Sequence, residues 1–87
     1  MNTLFLKKGI TLPIPIEPTD AKYFYVQAMP DSKGILKIEI HSPNGPNSSG
    51  EVDLGTNKQK TPFEVIQNQE PITLMCNNDT SIKYAFK

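Results

Sequence analysis

Arginine is absent. All nine basic residues of this 87-residue chain are lysine, and nine carboxylates bring the net charge to zero. The planar Arg fork is the usual reader of phosphate, carboxylate and guanine. Affinity for nucleic acid also depends on neutralising phosphates. The composition therefore disfavours a nucleic-acid binder. Tryptophan is missing too, which counts against sugar binding, although tyrosine can serve as the platform. There is one cysteine, Cys76, and one histidine, His41. They exclude an internal disulfide, a multi-cysteine zinc site and any site built on two histidines. No apolar run approaches the ~18 residues of a membrane span, and Met1–Lys8 has only three consecutive apolar residues with its charges after them, unlike a secretory signal. The expectation is a protein made in the cytoplasm, with no signal peptide and no membrane contact. The initial Met and a final strand pattern are those expected of a complete small gene product.

β-Branched residues are plentiful: Ile, Val and Thr number 19, Pro and Gly 13, and Ala only three. Such residues pack well on pleated sheets, while Pro and Gly punctuate short elements. Leu, Ile, Val and Phe total 22, enough for a core. The length allows one domain, residues 1–87.

Period-2 alternation locates the strands. Thr3–Lys8 places Leu4 and Leu6 on one face. In the stretch 10–18, Ile10, Leu12, Ile14 and Ile16 alternate with Thr11, Pro13, Pro15 and Glu17. Residues 13 and 15 share one hydrogen-bonding edge and neither has an N–H, so this segment pairs on one side only. It is an edge strand or, with residues 1–18, an extended arm laid on another chain. If the chain works by assembly, Ile14→Asp, or deletion of residues 1–18, is expected to abolish association and leave a soluble fold.

Lys22–Met29 reads as a strand with Phe24, Val26 and Ala28 inward, and Tyr23, Tyr25 and Gln27 outward. Pro30–Gly34 has the composition of a hairpin loop leading into Ile35–His41, with Leu36, Ile38 and Ile40 inward. Ser42–Gly50 reads as a long loop, Glu51–Leu54 as a short strand and Gly55–Lys60 as a turn. Residues 61–69 fit a strand, favoured here, or a short helix capped at Thr61. Strands at 71–76, with Ile72, Leu74 and Cys76 inward, and at 81–87, with Ile82, Tyr84 and Phe86 inward, flank a tight turn. Seven to eight short strands predict an all-β fold: a small antiparallel β-sandwich, Ig-like or jelly-roll-like, with a small β-barrel as the alternative.

Chemistry-bearing residues are sparse. Cys76 with His41 is the only nucleophile–base pair available, but Cys76 falls on an inward face and His41 on an outward one. The carboxylates fall in turns or at outward positions, with neither the facing pair of a glycosidase nor calcium-loop spacing. No catalytic residue, metal ligand or cofactor site is expected, and the chain is read as not an enzyme. The candidate partner-binding residues are Ile10, Leu12, Pro13, Ile14, Pro15, Ile16, Tyr23 and Tyr25. The expected function is a structural or interaction protein docking onto itself, as a homo-oligomer, or onto a larger assembly. Its most concrete form is a phage or virus component, capsid-decorating or tail-associated, since an Arg-free chain rich in Ile, Lys and Asn suits an AT-rich genome. A carbohydrate- or peptide-binding module is the alternative. An OB-type single-stranded nucleic-acid binder ranks below both.

Overall fold

The computed structural model describes residues 1–42, 45–65 and 70–87. It contains eight strands: β1 (Asn2–Leu6), β2 (Leu12–Ile14), β3 (Tyr23–Ala28), β4 (Ile35–Ile40), β5 (Ser48–Asp53), β6 (Thr61–Glu64), β7 (Ile72–Cys76) and β8 (Thr80–Phe86). Every pairing is antiparallel, in two four-stranded sheets ordered β1-β8-β3-β6 (sheet A) and β2-β7-β4-β5 (sheet B). The sheets do not close into a barrel, so the barrel alternative falls.

Four of these pairings are nested: β1 with β8, β2 with β7, β3 with β6 and β4 with β5. The contacts β3–β8 and β4–β7 then roll that long ribbon into two layers. This is the strand order of a jelly roll, and it differs from the ABED/CFG order of an Ig domain.

The core lies between the sheets. Leu6, Phe24, Val26, Ala28 and Ile82 of sheet A face Ile14, Leu36, Ile38, Val52, Ile72, Leu74 and Cys76 of sheet B, all buried. Phe63 of β6 closes one side of the sandwich by lying against Gly50 of β5. A Cβ on Gly50 would sit 2.7 Å from that ring, so the alternation of β5 runs through a glycine.

The expected hairpin of residues 22–41 is not formed. β3 lies in sheet A and β4 in sheet B, so residues 29–34 cross from one layer to the other. Polar bonds hold this crossover across the end of the sandwich. Ser32, buried, accepts from the Met29 N–H (2.8 Å) and donates to the Ser81 carbonyl. The Lys33 N–H donates to Thr80 Oγ1 (3.0 Å), and the Leu54 N–H donates to the Gly34 carbonyl (2.8 Å). Gly34 has φ 95° and packs against Asn77 and Asn78, which leaves no space for a side chain. The true hairpin is β4–β5.

One further boundary differs from the sequence reading. Ser48–Gly50, read as loop, belongs to β5, where exposed edge positions accept small polar residues. Residues 61–64 form the favoured strand; residues 66–69, and Pro43 and Asn44 of the expected loop, lie outside the described residues.

Candidate interaction surface

Ile10 does not continue the inward face of the following segment. The chain turns after β1, with the Ile10 N–H donating to the Lys7 carbonyl (3.1 Å) and Gly9 at φ 74°. That turn leaves Ile10 49% exposed. From Leu12 onward the alternation holds: Leu12 is half-buried, Ile14 and Ile16 are buried, and Pro13 and Pro15 are exposed.

β2 pairs with β7 in the register Leu12↔Leu74, Pro13↔Thr73 and Ile14↔Ile72. Pro13 has no N–H, so the ladder runs through positions 12 and 14 and the proline side of the strand is left outermost. Of the two readings for this segment, the fold uses the edge strand. Its buried aliphatics pack in this chain's own core.

Tyr23 and Tyr25 stand together on the outer face of sheet A, ring centroids 6.0 Å apart. Tyr23 is 41% exposed, while Tyr25 is half-buried beneath the Lys60 ammonium, 4.8 Å from its ring centroid. Register places Ala85 and Pro62 on either side of Tyr25, and Glu64 opposite Tyr23. A cation held over an aromatic face contributes about 0.5–1 kcal/mol at an exposed site, so Lys60 covers one of the two rings from within the chain.

The sequence reading missed Phe5. It lies on β1 between inward-facing Leu4 and Leu6, is 59% exposed, and lines a depression of about 410 Å³ with Asp31, Lys33, Asp79, Thr80 and Ser81. Among the described residues the exposed large hydrophobics are Met1, Phe5, Ile10 and Tyr23. Three of these four fall in the first ten positions. The alternation of Thr3–Lys8 contained the signal: an aromatic at an outward position of a strand segment with no charge before Lys7.

Sheet B presents a different outer face. A shallow basin of about 580 Å³ lies over Lys37, Glu39, Ser49, Glu51, Thr73 and Met75. These are outward positions of β4, β5 and β7, brought into rows by the register Lys37↔Glu51 and Glu39↔Thr73.

The nucleophile–base pair is not assembled. Cys76 is fully buried, with its Sγ 3.8 Å from the Lys33 carbonyl, and it pairs with Leu36 in β4. His41 follows five residues later, about 16 Å along an extended chain, beside Glu39 at 3.9 Å. Among the described residues no three His, Cys, Asp or Glu side chains cluster as a metal would require. No helix is long and apolar enough to cross a membrane.

A second residue unmarked in the sequence is Lys58. Its ammonium donates to the carbonyls of Met29 (3.1 Å), Ser32 (2.8 Å) and Leu54 (2.7 Å). All three donors of the lysine are thereby used, and the β3–β4 crossover is tied to the turn after β5.

Comparison with family models, curated proteins and solved structures finds no match to this chain.

Proposed function

We propose that this chain is a non-enzymatic interaction protein, a jelly-roll sandwich that docks onto further copies of itself or into a larger protein assembly. The observation that carries the reading is Phe5, 59% exposed at an outward position of the edge strand β1, in a stretch that also exposes Met1 before the strand and Ile10 after the turn that leaves it. A large aromatic left in solvent on a strand whose backbone edge is free to pair is a template for contact with another chain. The aromatic pair Tyr23/Tyr25 on the outer face of the same sheet adds a second apolar area. In its most specific form the proposal is a phage or virus structural component, capsid-decorating or tail-associated. Jelly rolls serve in viral capsids, but also in lectins and cupins, and a fold alone does not assign a function. The Arg-free, Ile- and Lys-rich composition agrees with that form.

Light scattering on the purified chain over a concentration series tests self-docking. The expected result is a mass above the 9.7 kDa of one chain that grows with concentration. A constant single-chain mass to millimolar concentration overturns it.

The basin on sheet B favours a second reading, a module for a carbohydrate or a peptide. It is concave and carries an ammonium, two carboxylates and hydroxyls at Lys37, Glu39, Glu51, Ser49 and Thr73, groups that hydrogen-bond polar ligands. Glycan or peptide retention that Lys37→Ala abolishes and Tyr23→Ala leaves intact would favour this reading over docking through sheet A.

A further inference from the structure

We infer that two copies of this chain pair antiparallel through β1, joining their A sheets into one continuous sheet of eight strands across a two-fold axis. The inference rests on the self-docking reading and names its seam. It follows from a comparison of the four free edges among the described residues: β1 and β6 in sheet A, β2 and β5 in sheet B. A free edge exposes unpaired N–H and C=O groups, and protein chains commonly blunt it with proline, charge or short length. β2 has three residues with Pro13 at its centre, and β6 has four with Pro62 and Glu64. β5 carries Glu51 and Asp53. β1, Asn-Thr-Leu-Phe-Leu, carries no proline, charge or glycine and exposes Phe5.

The sequence of β1 suits a second copy of itself. Directly opposite residues in an antiparallel ladder must both point their backbone groups at the partner or both away. In a symmetric pair the two opposed residue numbers therefore sum to an even value. Centring on Leu4 pairs all five residues: Asn2 with Leu6, Thr3 with Phe5 and Leu4 with its own copy.

The half-buried Leu4 side chains then meet on the inner face. On the outer face each Phe5 lies over the other copy's Thr3, with the two rings on a diagonal about 7–8 Å apart at the backbone, within aromatic reach. Lys7 and Lys8 go to opposite ends of the seam. A parallel pairing would instead set Lys7 and Lys8 against their own copies, so charge selects the antiparallel form. Pro13 keeps the neighbouring β2 edge out of the ladder, so one sheet extends and the other does not.

A five-residue seam, about 17 Å long, is shorter than the interface of a tight complex, which buries roughly 1,600 Å². The dimer is accordingly one that dissociates on dilution.

Light scattering and cysteine cross-linking together test the seam. Wild-type chain should reach twice the single-chain mass at high concentration. Phe5→Lys sets two ammonium groups on the outer diagonal and should weaken self-association by about tenfold or more, with unchanged circular dichroism and melting. On mild oxidation, Leu4→Cys or the double variant Thr3→Cys/Phe5→Cys should form a covalent dimer well before Ser49→Cys on the β5 edge, because opposed Cα atoms at 4.5–5.5 Å suit a disulfide.

Association that survives Phe5→Lys, cross-linking no faster on β1 than on β5, or growth beyond a dimer each overturns the seam and leaves self-docking standing. A wild-type chain that stays a monomer overturns both.

Discussion

β1 and β2 are successive segments of one chain, both apolar and both at the same side of the sandwich, yet they spend their apolar residues differently. In β2 and the residues just after it, Ile14 and Ile16 are buried between the sheets, and what faces outward is proline. In β1, Leu6 is buried and Leu4 half-buried, but an aromatic faces outward along an edge able to accept another strand. A high apolar content therefore does not identify a docking segment. The docking proposed for β1 rests on two other properties: an apolar residue on the face away from the core, and a backbone edge still able to hydrogen-bond. β2 has neither and β1 has both.

The strongest test of this contrast is Ile14→Asp. Ile14 is 9% exposed and pairs with Ile72, so the substitution places a carboxylate in the core. It should cost on the order of 4 kcal/mol or more, a large part of a small domain's stability, and denaturant unfolding would show it. The sequence alone led to the opposite expectation for an assembly protein, a folded chain that no longer associates. Lys58→Met is the control, because Lys58 ties the β3–β4 crossover and belongs to neither edge. Losing its charge-assisted bonds to three carbonyls should lower stability by about 2–3 kcal/mol, with no change in the concentration dependence of mass. Pro13→Val is the sharpest variant for its size. It restores an N–H to the outer side of β2 and should leave stability within about 1 kcal/mol. It should also add association or aggregation beyond that of wild type, measured as mass growth in light scattering, by unblunting a second edge. Ile10→Ser should change least, within about 0.5 kcal/mol in melting experiments, since the side chain is 49% exposed and outside any strand.

The strands were legible because a half-buried strand must alternate, and Leu36/Ile38/Ile40, Ile72/Leu74/Cys76 and Ile82/Tyr84/Phe86 do so on the faces expected. Sheet membership was not legible. Pro30–Gly34 has turn composition whether it folds a hairpin or crosses between layers. What decides is the pairing of β3 with β6 and β8, strands lying far along the chain. Ser48–Gly50 looked like loop because one face of an edge strand is wet and Gly50 makes room for Phe63 on the other. Ile10 fitted the alternation by number, but the turn at Gly9 resets the face. Of the candidate surface, Tyr23 and Tyr25 could be read from their outward positions. Lys58 could not, because nothing local marks a lysine whose three carbonyl partners come from two separate loops.

The nested strand order also governs when the molecule can fold. Only β4 and β5 are partners close in sequence; each further pair, β3 with β6, β2 with β7 and β1 with β8, closes a longer loop around the one before. Each doubling of loop length adds only about 0.6 kcal/mol of closure entropy, so pairing outward from that hairpin would add little closure cost at each step. Non-local pairing of this kind nonetheless puts the chain among the slower small folders, in the millisecond-to-second range. β8 lies between β1 and β3, so a nascent chain holds sheet A open until residues 80–86 have been synthesised. During that interval β1 has two free edges instead of one, so the edge proposed to pair between copies is doubled before the fold is complete.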